Sequence, residues 1–269
     1  MEKLLQIHNL TKVFGEGTIN EKVALKDISL DVESGEFITI IGNNGAGKST
    51  LLNCISGVFP IDAGSIIING KDCTREPEHK RAKHIGRVFQ DPLKGTAFDM
   101  TIEENLALAY VRAGEKTSLF STLKKKDKDI FRERLALLNM GLEDRLKHPV
   151  GLLSGGQRQA LTLLMATMST PKILLLDEHT AALDPGTAEK VLELTKHIVE
   201  KDHITCMMIT HNMHQALELG NRTFLMSDGN IVLDVKGEER KGLTVDDLLD
   251  KFRQGTGKDL DNDRILLST

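Results

Sequence analysis

A glycine-rich run ending in Lys-Ser-Thr has the residue types best suited to binding phosphate. Its residues are Gly42, Asn43, Asn44, Gly45, Ala46, Gly47, Lys48, Ser49 and Thr50. An apolar run at residues 37–41 precedes it and an amphipathic stretch follows, which predicts a strand, a loop and a helix. Glycines let such a loop point its N–H groups at phosphate oxygens, and the helix adds its positive dipole end. Lys48 would reach the β- and γ-phosphates of a nucleotide and Ser49 would bind Mg²⁺, whereas the alternative is a glycine-rich turn with a surface lysine.

A glycine pair marks a second candidate phosphate site. The residues are Ser154, Gly155, Gly156 and Gln157, at the start of a strongly apolar stretch that predicts a helix. Unbonded N–H groups at a helix start, the Ser154 hydroxyl and the helix dipole can together face an anion. A helix N-cap without any ligand explains the same residues, and this alternative stays open.

Two carboxylates follow the apolar run 173–176, which predicts a buried strand. Because side chains alternate along a strand, Asp177 and Glu178 would point in different directions. Asp177 could then serve a Mg²⁺ shell, directly or through water, while Glu178 acts as general base toward an attacking water. A solvated acidic strand end is the alternative.

Two more polar side chains stand at predicted strand ends. Gln90 follows Arg87-Val88-Phe89, and its amide could sense both Mg²⁺ and the lytic water. His211 ends the strand-like run 207–209 and could bond the γ-phosphate and orient Glu178. A lone histidine is more often structural, so both interpretations of His211 are kept.

The composition predicts a globular protein in a reducing compartment. The chain has 269 residues, of which 40% are hydrophobic, and no apolar run approaches the roughly 20 residues that span a bilayer. The first residues lack a signal-peptide pattern, so we expect the chain to stay where it is made. Three isolated cysteines argue against disulfides or a zinc site.

The charge balance predicts no nucleic-acid partner. There are 35 Lys and Arg against 39 Asp and Glu, giving net −4, with one Tyr and no Trp for base stacking. The basic segment Lys124–Lys128 could touch lipid headgroups or RNA, although a solvated loop or helix face is favoured.

The order of predicted elements indicates an α/β fold. Strand-like runs at 4–7, 24–32, 37–41 and 65–68 predict an antiparallel β start. A capping pattern at Thr101 and Glu104 and the run 131–138 predict a helical middle, joined by a polar connection from Gly114 to Lys128. Beyond residue 170 the pattern is strand, helix, strand, followed by a hairpin at Ser227-Asp228-Gly229 and an amphipathic segment at 245–252.

Together and in this order, these motifs resemble the ATP-binding cassette (ABC) family over about residues 3–240. The resemblance implies a P-loop NTPase core with an antiparallel β subdomain and an inserted helical subdomain. It implies a cassette over residues 1–242, with the insertion at about 92–165, and a short helical tail over 243–269. ATP would be sandwiched in a homodimer between the phosphate loop of one copy and Ser154–Gln157 of the other.

The same resemblance assigns roles to single residues. Phe14 stands where an aromatic ring, usually tyrosine, stacks on adenine, although a buried core phenylalanine is the alternative. The implied catalytic residues are Lys48, Gln90, Glu178 and His211, and the implied Mg²⁺ ligands are Ser49, Gln90 and Asp177. Two residues depart from the family pattern: His179 replaces the usual proline and Ala181 the usual serine, so that one possible hydrogen bond across the dimer is lost.

One cassette without membrane segments resembles the detachable motor of a transporter. Such motors dock as peripheral subunits on the cytoplasmic face of a separate permease and work indirectly with a solute-binding protein. The groove at residues 90–101 would receive a permease helix through Phe98 and Met100, unless these two belong to the core. Import is favoured over export, because exporters often fuse the motor to a membrane domain, and similarity to single-ATPase importers points to amino acid uptake. We expect the tail after about residue 242 to be too short for a large regulatory domain.

Two other classes of protein are weighed against the transporter motor. A soluble ABC ATPase acting on ribosomes or DNA typically carries two cassettes or a coiled-coil insertion and a basic face. A P-loop kinase or GTPase would leave Ser154–Gln157 unexplained. We expect ATP hydrolysis to free phosphate to exclude the second class.

Overall fold

The computed structural model describes residues 3–112 and 124–257. In chain order its elements are β1 (Lys3–Phe14), β2 (Lys22–Glu33), β3 (Phe37–Gly42), α1 (Lys48–Ser56), β4 (Ala63–Ile68), β5 (Lys71–Asp72), α2 (Glu78–Arg81), β6 (Ile85–Val88), α3 (Ile102–Arg112), α4 (Lys125–Ala136), α5 (Gly155–Ala166), β7 (Ile173–Asp177), α6 (Pro185–Lys201), β8 (Thr205–Ile209), α7 (Met213–Glu218), β9 (Arg222–Ser227), β10 (Asn230–Lys236), α8 (Gly237–Lys241) and α9 (Val245–Thr256). Short 3₁₀ turns lie at Pro92–Gly95 and Val150–Leu152. Within these two ranges, every helix is too short or too polar to cross a membrane.

The chain divides into two compact units, residues 1–81 with 205–269 and residues 82–204. The first unit carries an antiparallel sheet of order β2-β1-β4-β5, as the strand-like runs near the N-terminus predict. It also carries strands in the order β10-β9-β3-β8, in which β3 pairs in parallel with both β8 and β9. The predicted α/β fold with antiparallel and parallel strands is confirmed.

The strand–loop–helix frame around the phosphate loop is present. All five residues 37–41 of β3, four of them apolar and one Thr39, are buried, as expected for a strand covered on both faces. Helix α1 begins at Lys48, directly behind the loop. The hairpin β9–β10 closes at Asp228-Gly229, where both residues have positive φ, as a type I′ turn requires.

The second unit combines a parallel pair, β6 and β7, with the helices α3 to α6. Its core includes Leu106 of α3, Phe131 and Leu135 of α4, and Leu161 of α5, all fully buried. The predicted capping pattern is realised: Glu104 accepts from the Thr101 backbone N–H at 2.7 Å, and the Thr101 hydroxyl accepts from Glu104 N–H at 3.3 Å. The helical middle therefore follows from local capping and apolar spacing.

The predicted polar connection from Gly114 to Lys128 is wrong at its end. Helix α4 begins at Lys125, because the Asp127 carboxylate accepts from Lys124 N–H at 2.8 Å and caps the first turn. Lys128 is also fixed, by an ion pair with Glu103 of α3 at 2.9 Å. The remainder of that segment, residues 113–123, lies outside the described residues.

The amphipathic segment near the C-terminus forms α9, as predicted. Its apolar residues Leu248, Leu249 and Phe252 are buried in a cluster that also contains Ile41 and Met213 of the same unit. The short helix α8 was not predicted, since five residues with four charges carry no clear apolar period.

Candidate functional site

The phosphate loop holds its lysine inside the turn. Lys48 is 5% exposed, and its ammonium donates to the carbonyl oxygens of Gly42 at 2.6 Å and Asn43 at 3.0 Å. Gly47 caps α1 in the left-handed region, with φ of 103°, so the first-turn amides of α1 open onto the loop. An ammonium and a helix N-terminus around one turn suit a polyphosphate anion.

Two loop glycines are required by close approach of neighbouring strands. A Cβ on Gly42 would lie 2.1 Å from the Met226 carbonyl oxygen, and one on Gly47 would lie 2.7 Å from that of Ala24. The glycines at these positions therefore serve the packing of the loop against the sheet as well as its curvature.

Phe14 is half-buried and ends β1 in the first unit. Its ring meets Phe59 edge to face with centroids 5.3 Å apart, and the Lys12 ammonium lies 5.4 Å from its centre. Lys12 is itself anchored by Asp62 at 3.1 Å. The sequence-based reasoning missed Phe59, because a contact between β1 and the segment that follows α1 leaves no periodic signal.

His211 lies in the three-residue turn, Thr210 to Asn212, between β8 and α7. The Asn212 side chain caps α7 by accepting from Gln215 N–H at 3.0 Å, and Asn212 N–H donates to the Thr210 hydroxyl at 3.1 Å. His211 is therefore carried on a short, bonded turn between a buried strand and a helix.

Glu178 is held in a backbone conformation that side chains rarely adopt. It follows β7 with φ of 46°, in the left-handed region, which costs of order 1–3 kcal/mol and tends to occur at functional sites. The Gln90 amide Nε2 donates to its Oε2 at 3.0 Å. Of the predicted site residues in the second unit, Gln90 and Glu178 are thus joined directly, and the Gln90 carbonyl oxygen is left as an acceptor or metal ligand.

His179 is buried immediately after Glu178. Its Nε2 lies 3.1 Å from the Thr195 hydroxyl, which itself donates to the Val191 carbonyl at 2.7 Å. Because the hydroxyl proton is already used, Nε2 must carry the hydrogen in this bond. The histidine that replaces the usual proline therefore ties the turn of Glu178 to helix α6.

The pH dependence of stability tests this buried histidine. Complete burial lowers the pKa of His179 to about 4, from 6.5 in an exposed histidine. Below pH 6.5 His179 is protonated in the unfolded chain but stays neutral in the folded chain until about pH 4, so the free energy of unfolding falls as the pH is lowered. We expect the free energy of unfolding, measured by urea titration, to drop by about 2 kcal/mol between about pH 7.5 and about pH 5 through this residue. In His179→Gln, which can still donate to Thr195, this part of the pH dependence should vanish; an unchanged slope would contradict the assignment.

Ser154 caps helix α5 in the second unit. Its hydroxyl accepts from Gln157 N–H at 3.2 Å, and the Gln157 side chain accepts from Ser154 N–H at 3.2 Å. This is the capping box that the helix N-cap interpretation predicts. The Ser154 hydroxyl hydrogen still has to find an acceptor, so the phosphate interpretation is compatible with the same geometry.

The glycine pair separates into two roles. A Cβ on Gly156 would lie 2.0 Å from the Thr187 methyl group, so a larger residue there would require Thr187 of α6 to move. At Gly155 a Cβ would make only an ordinary contact of 3.5 Å with Leu183. Packing within the chain therefore leaves room for a larger residue at Gly155 and does not explain glycine at this position.

The predicted metal donors are all oxygens. Ser49 offers a hydroxyl, Gln90 an amide carbonyl and Asp177 a carboxylate, which is the donor chemistry that Mg²⁺ prefers beside phosphates and waters. The donor set therefore fits Mg²⁺. Ser49 is at the second position of α1, and Asp177 is the last residue of β7.

Comparison with known proteins identifies the relatives of this chain. A sequence model of the ABC transporter family matches residues 25–181. The chain is 45% identical over 249 residues to a tyrosine transport ATP-binding protein of Clostridioides difficile, covering 93% of this chain and 98% of that protein. It is 34% identical over 265 residues to the phosphonates import ATP-binding protein PhnC of Lactobacillus johnsonii, covering 95% and 98% of the two chains.

A solved structure shares the fold. The dimeric ATP-binding cassette MJ0796 in a post-hydrolysis state, bound to ADP and Pi, superposes with a TM-score of 0.75 at 29% identity. The alignment covers 87% of this chain and 98% of that cassette.

Proposed function

Since this chain belongs to the ABC transporter family and is an ATP-hydrolysing cassette, we propose that it drives import of an amino acid through a separate permease. The observation that carries this proposal is the 45% identity to a tyrosine transport ATP-binding protein along 93% of the chain. Tyrosine is therefore the first solute to test. The proposal includes a cassette over residues 1–242, with a helical subdomain at about 92–165, and a short helical tail.

The proposed ATP site assigns each residue a task. Lys48 neutralises the β- and γ-phosphates, the loop amides of Gly42–Thr50 bind their oxygens, and Phe14 stacks on adenine. Ser154–Gln157 of a second copy would complete the site, because N–H groups at the start of a helix can bind an anion and Gly155 has space around its Cα. The dimeric cassette with ADP and Pi supports such an assembly.

The proposed hydrolysis relies on Glu178 as the base. Its carboxylate takes a proton from a water whose oxygen attacks the γ-phosphorus, and the bond to ADP breaks as free phosphate forms. The bond from Gln90 orients this carboxylate. His211 and Lys48 stabilise charge on the γ-phosphate oxygens. Mg²⁺, held by Ser49, Gln90 and Asp177, would neutralise the phosphates.

The proposed permease contact is Phe98. Its side chain is 48% exposed, which argues against a core role, while Met100 is half-buried. The Arg158 guanidinium lies 5.2 Å from the Phe98 ring, and Gly151 N–H donates to the Phe98 carbonyl at 2.9 Å. Arg158 also donates to the carbonyl of Leu153, the residue before Ser154, at 3.0 Å. A helix seated on Phe98 would therefore lie close to Arg158, which also bonds the residue before Ser154.

Transport in a purified system tests the proposal. Tagged protein is isolated in mild detergent from membranes of its native host, and the multi-span protein that accompanies it is reconstituted in liposomes with a solute-binding protein. ATP-dependent accumulation of labelled tyrosine is the expected result. Recovery of ribosomes or nucleic acid without a membrane protein would overturn the whole proposal. Transport of phosphonate but not of tyrosine would overturn the proposed substrate.

Substitution of Phe98 gives a narrower prediction. We expect Phe98→Asp to lower recovery of the permease by about thirtyfold or more, because a charge buried in the contact would replace an aromatic anchor, and this exchange costs about 2 kcal/mol or more. Binding of ATP by the isolated subunit should stay unchanged. Leu137→Asp is the matched control, since Leu137 is equally exposed at 48% but lies beyond α4. Equal loss of permease in both variants would remove Phe98 from the contact.

A further inference from the structure

A buried arginine closes the end of the helix that follows His211. Arg240 of α8 is 8% exposed. Its Nη2 donates to the carbonyl oxygens of Ala216 at 2.8 Å, Leu217 at 3.0 Å and Leu219 at 2.6 Å, and its Nε donates to the Thr223 hydroxyl at 2.9 Å. Ala216 and Leu217 lie in the last turn of α7, and Leu219 is the residue that follows the helix. The last carbonyls of a helix lack partners inside it.

The burial of this cation is compensated by a helix end. All four acceptors are neutral, and burial lowers the pKa of Arg240. The negative end of the α7 dipole and the carbonyl oxygens there supply the compensation. A lysine would make fewer of these bonds, because its ammonium lacks the planar fork of a guanidinium. The arrangement is therefore specific to arginine.

The other end of α7 is held by α9. Met213, two residues after His211, is buried with Leu248, Leu249 and Phe252 in one apolar cluster. Ile41, the residue before the first phosphate-loop glycine, belongs to the same cluster. The segment from Gly237 to Thr256 thus packs on both ends of α7.

A polar link joins the same helix to the strand that enters the phosphate loop. The hydroxyl of Thr39 in β3 donates to the Ala216 carbonyl at 2.8 Å and lies 2.9 Å from the Thr223 hydroxyl. Arg240 bonds to both of these groups. Displacing Arg240 would therefore disturb α7 and its attachment to β3 together.

We infer that the C-terminal segment Gly237–Thr256 is a positioning element for catalysis, with Arg240 setting the place of His211 through α7. His211 occupies the turn between β8 and α7, so its imidazole moves with the start of that helix. Small displacements of a catalytic group, of about 1 Å, can cost about a hundredfold in rate. This inference rests on the proposed role of His211 at the γ-phosphate.

Steady-state ATPase kinetics of the full chain test the inference. Arg240→Met is compared with Lys241→Met, its exposed neighbour in the same helix, whose ion pair with Glu238 lies at the surface. We expect Arg240→Met to lower kcat by about tenfold to a hundredfold while the Kd for ATP stays within about twofold, because Lys48 and the glycines of the phosphate loop are themselves unaltered. Arg240→Lys should recover part of the rate, and Lys241→Met should match the unaltered protein.

The decisive comparison is made in a His211→Ala background. If Arg240 acts through His211, adding Arg240→Met to His211→Ala should cause no further loss of kcat. An equal loss in both backgrounds would overturn the inference, as would a loss of ATP affinity as large as the loss of kcat. Should His211→Ala alone keep full activity, the proposed role of His211 fails, which is a separate outcome. All rates are measured well below each variant's Tm, and if Arg240→Met does not fold, Arg240→Lys decides the same comparison.

Discussion

Glu178→Gln should bind ATP and accumulate a closed dimer while losing hydrolysis by about a hundredfold to ten-thousandfold. The amide keeps the size of the carboxylate but cannot take a proton from water. It also keeps the same Cβ and therefore the same cost at φ of 46°, so the fold should persist. The bond from Gln90 can be retained through the new amide oxygen. The dimer is measured by size-exclusion chromatography with ATP, and hydrolysis by phosphate release.

The control for Glu178→Gln is Glu189→Gln, which makes the same exchange at an exposed position of α6. It should leave both hydrolysis and dimerisation unchanged. Turnover of Glu178→Gln at the rate of the unaltered protein would exclude Glu178 as the base. A dimer that forms equally well without ATP would exclude the proposal that the nucleotide joins the two copies.

Lys48→Ala should weaken ATP binding by about a hundredfold, because removing one member of a buried charge pair typically costs 2–5 kcal/mol. Its ammonium already lies inside the loop, 2.6 Å from the Gly42 carbonyl oxygen and 3.0 Å from that of Asn43. Because the Lys48 side chain is already ordered before ATP binds, binding carries no cost of ordering it. Truncation therefore removes the full interaction between the ammonium and the phosphates. The Kd for ATP is measured by isothermal titration calorimetry.

Lys26→Ala, on the exposed side of β2, is the control for the loss of one positive charge in the same unit. Its Kd for ATP should match that of the unaltered chain. Far-ultraviolet circular dichroism shows whether the loop carbonyls left without a donor in Lys48→Ala destabilise the fold. An unchanged Kd for ATP in folded Lys48→Ala would contradict the phosphate-binding role and favour a purely structural turn.

Local patterns were sufficient for the elements that carry the proposed site. The apolar run 37–41 and the glycines after it predict a strand and a loop, and both are present. Capping by Thr101 and Glu104 and the turn at Asp228-Gly229 are also interactions between residues at most three apart. Such signals survive in sequence because the partners stand at fixed short spacings.

Capping also explains where the prediction of loops was wrong. Lys125 to Lys128 looked like part of a polar connection, since four charged residues have no apolar period. In the structure Asp127 caps the turn and Lys128 pairs with Glu103 of α3. The second of these contacts is set by the packing of α3 and α4, which no local pattern reports.

The sequence by itself determined the family motifs, the order of the elements and the residue types available for phosphate, metal and proton transfer. Only the tertiary structure decided that Glu178 adopts a left-handed backbone, that His179 is neutral beneath it, and that Arg240 closes α7. Those three features depend on burial and on partners many residues away: Arg240 bonds residues up to 24 positions earlier. Burial changes the cost of a charge or a strained φ, and it is set by the packed chain as a whole rather than by spacing along it.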